Sequence, residues 1–398
     1  MTTAWLPTAF PPRGPGRLAA VLLLALAGCT RKKAPPAEVS VEPPPRAEAP
    51  AALALEPEVG LRVGLPQGCK LDGGIQGAQV GEDALFFAPD EPRDELALVQ
   101  PDAARVGVVS LGGGPSRALG SLPPGHPSFF AATGGGWLQL WAPPERPGEG
   151  WLLRDEGPGE LALRGEGLEV TDLRCRGGHC AALSTRAMRV AAAGATVLLG
   201  SGEARGAGWR RADYVPEGAV PERPFVVASV GEGKATVTTA SAAGVRFLEV
   251  RGEEVTPGVL LPAPHGALDA ILLRRPVALA HGAPLVGDCA RPRPLLAIQR
   301  EGLPAVEIPL DAPPLSLFVR PVAGGAFAVW LVPTHCGDRQ RRIAYAALLD
   351  EDGGLRAGPM AVAEATGVAL ATRGERVDLW LRRQGRVVWL KGRCEGKP

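Results

Sequence analysis

Five histidines (His126, His179, His265, His281 and His335) and seven cysteines are the residues of this chain best suited to bind a metal or attack an electrophile. His179 adjoins Cys180 and His335 adjoins Cys336, so imidazole–thiolate metal sites are one reading of those pairs. No His-Glu-x-x-His, Gly-x-Ser-x-Gly or Cys-x-x-Cys motif occurs. Gly231-Glu232-Gly233-Lys234-Ala235-Thr236 fails as a phosphate loop, because Ala235 stands where a magnesium-binding hydroxyl should follow the lysine. Asp350-Glu351-Asp352-Gly353 lacks the glutamate that closes a calcium loop and reads as a hairpin turn. No catalytic residue, metal set or cofactor is therefore assigned, and the reading leans away from an enzyme.

Two groups suit recognition better than catalysis. Trp209-Arg210-Arg211 with Tyr214 falls in the span Gly200 to Glu222, the longest break in the strand pattern. Aromatic residues and arginine are enriched at interfaces, so this loop is a candidate recognition surface. The plainer alternative is a connection whose tryptophan folds back on the body. Arg174, Arg320 and Arg373 each fall near the end of a strand at the same place in a repeating unit. They form either an anion-attracting mouth or a set of unrelated surface arginines.

The elements that would position these residues are short strands. A strand, a glycine turn, a second strand, a loop and a third strand recur around Gly81, Gly136, Gly178, Gly233, Gly282, Gly325 and Gly374, spaced 42 to 55 residues apart. That spacing is in the range of propeller blades. Runs such as Trp137-Leu138-Gln139-Leu140-Trp141 and Phe327-Ala328-Val329-Trp330 are rich in β-favouring residues and bounded by turn residues. With no helical pattern after Ala27, the predicted fold is all-β, a seven-bladed β-propeller; eight blades or tandem β-sandwiches use the same signals.

Composition narrows the partners. A net charge of +1 with both signs interspersed argues against nucleic acid, which needs a basic stripe. Leaving Cys29 aside, six cysteines remain, an even number that reads as three disulfides in an oxidising compartment. Cys175 and Cys180 flank a glycine turn and would staple a hairpin. Cys289 and Cys336 fall on loops of neighbouring units. Cys69 and Cys394, near the two ends of the repeat region, would close the ring, with a strand such as Leu61-Arg62-Val63 completing the last blade.

The N-terminus supplies an address. Arg13 and Arg17 precede an apolar run from Leu18 to Ala27, too short to span a bilayer, and then Leu26-Ala27-Gly28-Cys29. That tetrad resembles the lipobox of bacterial lipoproteins. The resemblance implies cleavage before Cys29, lipidation of that cysteine and attachment to a membrane, with Thr30 rather than Asp in the next position favouring the outer membrane. Residues 1–28 are thus expected to be the signal peptide, 29–60 a Pro- and Ala-rich tether, and 61–398 the propeller. The expected function is binding or scaffolding at the cell envelope, partnered by the membrane and by an envelope protein. An exported hydrolase or lyase, or a purely structural surface protein, is the alternative.

Overall fold

The strands Trp137–Trp141 and Gly325–Pro333 are buried almost without interruption, on both faces rather than on alternate residues. Continuous burial requires each sheet to be packed between two others. The computed structural model satisfies this with seven antiparallel sheets arranged around an axis, a seven-bladed β-propeller. It describes residues 53–396 except 101–104, 112–115, 122–127, 134–135, 143–147, 155–159, 166–167, 187–193, 203–207, 215–225, 242, 264–266, 282–293 and 335–340. Cys29, the signal and nearly all of the tether lie outside the described residues, as do Cys289 and Cys336. Among the described residues there is no helix, and hence none long and apolar enough to cross a membrane.

Blades 1 to 6 are four-stranded sheets, each built from consecutive strands. Their innermost strands are Leu85–Phe87, Ser128–Ala132, Leu168–Arg176, Val226–Gly231, Ala267–Leu272 and Ser316–Val322; blade 7 begins with Gly367–Arg373. Outer strands such as Glu254–Leu261 and Leu303–Pro309 have one face in water and are mostly exposed. The core consists of separate apolar clusters between neighbouring blades, including one that joins blade 7 to blade 1 through Trp380, Trp389, Leu96 and Leu98. That last cluster can form only if the ring is closed.

Closure is made by the chain's beginning. Gln76–Gln79 pairs with Arg386–Cys394 as an additional strand of blade 7, and Cys69–Leu71 pairs with the same strand, setting Cys69 opposite Cys394. The disulfide Cys69–Cys394 locks this seam, and Cys175–Cys180 staples the hairpin of blade 3. Both pairings match expectation, but the closing strand does not: Leu61 and Val63 form no strand and instead pack on the cluster between blades 6 and 7.

The repeat phase also needs correction in two blades. Gly81 precedes the inner strand of blade 1, where the irregular segment 88–94 replaces a tight turn, and Leu96-Ala97-Leu98-Val99 belongs to the second strand rather than the third. In blade 5 the first turn is Leu273-Arg274-Arg275, and Gly282 lies outside the described residues. Gly178 (81°), Gly233 (61°) and Gly374 (58°) sit where a turn needs positive φ.

A disulfide that closes a long loop removes more unfolded-state entropy than one that closes a short loop. The two bridges span 325 and 5 residues. Replacing Cys69 and Cys394 with alanine is expected to cost about 5 kcal/mol in urea unfolding, against about 2 kcal/mol for Cys175 and Cys180. Equal losses would show that the seam is held by strand pairing alone.

Candidate functional site

The inner strands bring a set of charged residues into the central channel. In blade 3, Asp172 and Arg174 are half-buried while Leu173 between them turns into the blade 2–blade 3 core. Asp172 follows an irregularity in its pairing, between Val170 and Asp172, and Asp269 in blade 5 follows the same kind of shift, between Ala267 and Asp269. Such bulges re-aim a side chain. Here each aspartate reaches the inner strand of the next blade: Val227 N donates to Asp172 Oδ2 at 2.8 Å, and Val319 N donates to Asp269 Oδ2 at 2.9 Å. The same stitch thus joins blade 3 to 4 and blade 5 to 6.

Arginines complete the network. Arg174 donates from Nη2 to Asp269 Oδ1 at 2.6 Å, and its Nε lies 3.2 Å from Asp172 Oδ2. Arg320, on the inner strand of blade 6, donates from Nη1 to Asp269 Oδ2 at 3.0 Å, with its Nε 2.7 Å from Asp90 Oδ1. Asp90 comes from segment 88–94 of blade 1, which touches three further blades. Thr372 N of blade 7 donates to the Asp90 carbonyl, Gly177 N of blade 3 to Glu91 Oε2, and Arg93 to the carbonyls of Thr133 and Gly136 in blade 2. Segment 88–94 and the arginine–aspartate network together form a plug across the channel.

Burial and charge act in opposite directions on its carboxylates. Asp269 is 2% exposed, and burial alone would raise its pKa; the guanidiniums of Arg174 and Arg320 outweigh burial and hold it below its ordinary value of 3.8. For Asp172 burial prevails, because Arg174 and the Val227 N–H are opposed by the charges of Asp269 and Asp90, and its carboxyl is raised. Desolvation would lower Arg174, but the carboxylates of Asp269, Asp172 and Asp90 raise it overall, so it stays charged.

Against the plug, toward the N-terminal ends of the inner strands, lies a cavity of about 320 Å³. Phe86, Phe87, Phe129, Phe130 and Phe318 line it with Val368, Ala369 and Leu370, while Asp90, Asp172, Arg174 and Arg320 supply its polar wall. An apolar cavity with a few convergent polar groups is the usual form of a small-ligand site. A second space of about 30 Å³, bordered by Arg176, Ser229 and Pro321, shares Asp90, Arg174 and Arg320 with it.

Arg174 and Arg320 therefore converge, but as buried groups matched by carboxylates, neither a free cationic mouth nor surface arginines. Arg373 is exposed at the end of its strand and does not join them. Arg210–Tyr214 is not a loop but the outer strand of blade 3. Trp209 packs in the blade 2–blade 3 core against Gly200, and Tyr214 packs on the blade 3–blade 4 core. Arg210 and Arg211 remain exposed, the latter paired with Asp213 at 2.9 Å. Cys180 is committed to its disulfide and so is no metal ligand beside His179. Among the described residues no group of three or more metal-ligating side chains assembles.

Asp90, Asp172, Asp269 and the five phenylalanines were not singled out in the sequence. An available signal was an aspartate inside a strand pattern, where that residue is depleted and needs a partner when buried.

No family model matches the chain, and no curated protein is similar to it in sequence. Several solved structures align with the chain at low identity and with TM-scores below 0.5. One is a subtype N11 neuraminidase-like protein of influenza A/flat-faced bat/Peru/033/2010, with 12% identity over 90% of this chain and 99% of that one and a TM-score of 0.43. The WD40 repeats of RRP9 align at 11% identity over 83% and 100%, with a TM-score of 0.48. Oligogalacturonate lyase from Vibrio parahaemolyticus aligns at 7% over 87% and 98%, with a TM-score of 0.44. These likenesses concern the propeller fold alone.

The plug predicts a contrast between two isosteric changes. Asp269→Asn leaves two buried guanidiniums undercompensated and is expected to cost about 3 to 5 kcal/mol in urea unfolding at pH 7. Asp172→Asn keeps an amide oxygen for the Val227 N–H but turns its NH2 toward the Leu173 N–H, and should cost less, about 1 to 2 kcal/mol. The linkages have opposite signs. The stability contributed by Asp269 is present above 3.8 and is lost as pH falls through its lowered folded value. That associated with the raised Asp172 is present below 3.8 and is lost as pH rises through its folded value. Equal costs for the two variants would show that Asp269 is not the shared counter-ion.

Proposed function

We propose that this protein is an envelope lipoprotein, anchored through Cys29, whose propeller binds a ligand in the phenylalanine-lined cavity rather than transforming one. The observation that carries the reading is the state of the charged groups beside that cavity. Asp269 accepts from four donors, Arg174, Ala270, Val319 and Arg320, and Asp172 from the backbone of Leu173 and Val227. Groups so engaged form a fixed wall that orients a guest. The two disulfides are compatible with an extracellular or envelope location, and the Leu26-Ala27-Gly28-Cys29 tetrad supports the lipid anchor.

One observation favours the alternative of a hydrolase or lyase. The raised carboxyl of Asp172 lines the cavity and is the group there best suited to hand over a proton.

Isolation of the protein from its own envelope, followed by identification of what accompanies it, tests both parts. Cys29→Ala is expected to release the protein from the membrane fraction. Phe86→Ala combined with Phe318→Ala is expected to empty the isolated protein of its guest. A guest retained by the double variant would remove the cavity from consideration. Turnover of an envelope substrate that is abolished by Asp172→Asn would establish catalysis instead.

A further inference from the structure

Resting on the reading of the cavity as the binding site, we infer that its ligand is a small cationic amphiphile: an apolar body ending in an ammonium group. Three features converge on this chemistry. The first is the charge balance of the plug. Asp90 and Asp269 already match the two positive charges on Arg174 and Arg320, and Asp172 adds a further negative charge whenever it is ionised, so the network is neutral or one charge negative and never positive. Asp269 lies between the two guanidiniums and holds both, so an anion would compete with a buried carboxylate for either arginine.

The second is the position of Asp90. Its carboxylate pairs with Arg320, Oδ1 lying 2.7 Å from Nε, and the side chain borders the cavity. A carboxylate oxygen accepts, so its complement is a donor, and a charged donor forms the stronger bond. The third is the aromatic wall. Phe86, Phe87, Phe129 and Phe318 are each only half-buried, so ring faces and edges remain for a guest. Aromatic faces attract cations, as Arg320 already demonstrates 5.7 Å from the Phe318 ring centre. An anion would meet both the electron-rich faces of the rings and the Asp90 carboxylate. A volume of about 320 Å³ falls at the small end of ligand sites.

Titration calorimetry of the full mature protein at pH 7 with 4-phenylbutylamine, 4-phenylbutanol and 4-phenylbutyrate tests the inference on the unmodified protein. The amine is expected to bind at least tenfold more tightly than the alcohol, and the carboxylate more weakly than either. Asp90→Asn should shrink the amine's advantage over the alcohol at least tenfold, a ratio that a general loss of the cavity would not move selectively. Phe318→Ala should weaken amine and alcohol together. Equal binding of amine and alcohol, preference for the carboxylate, or no binding by any of the three overturns the cationic ligand. The two readings fail separately: a natural guest that is lost from the Phe86→Ala, Phe318→Ala protein but proves neutral or anionic leaves the cavity as the site and removes only its cationic preference.

Discussion

The middle of this propeller is governed by one carboxylate, Asp269, held between two guanidiniums. Its own blade supplies the side chain, blade 3 supplies Arg174, and blade 6 supplies both Arg320 and the Val319 N–H. A charge this deeply buried is tolerated only if its neighbours are matched, so Asp269, Arg174 and Arg320 stand or fall together. Asp90 is drawn in to balance Arg320, and segment 88–94 must cross toward blades 2, 3 and 7 to deliver it. The cavity is what remains where that plug ends and apolar side chains begin.

Around this centre the ring depends on repetition. Each sheet buries its apolar faces against its neighbours, which is why the second strands read as unbroken hydrophobic runs and why no sheet is stable alone. The join between blades 7 and 1 is held by the early strands and by the Cys69–Cys394 bridge, so the weakest topological point carries the covalent bond. Asp172 and Asp269 add a second kind of fastening by hydrogen-bonding across blade boundaries at the axis.

Much of the ring was legible because strand runs and glycine turns are local signals. Where blades 3, 4, 6 and 7 turn through a tight glycine hairpin, the repeat unit was placed in phase. Blade 1 was misphased because its first connection is the longer segment 88–94, and that departure is what carries Asp90 to the channel. Arg210–Tyr214 was taken for loop because an exposed outer strand has neither continuous nor alternating hydrophobicity. Of the site, Arg174 and Arg320 were found from their place in the unit, whereas their neutralisation was not. Pairing with Asp269 joins residues 95 and 51 positions apart, a relation that only the closed ring creates.

The seam has a mechanical consequence. The chain passes Cys69, runs through all seven blades and returns to Cys394. Tension applied between the two ends would cross from Cys69 to Cys394 through sulfur and bypass every blade in between. The short pairing of Glu56–Pro57 with Gln76–Gln79 is the part exposed to such a pull and can peel while the ring keeps its shape. A propeller fastened this way behaves as a rigid bead on a line, its channel geometry insulated from whatever force the line transmits.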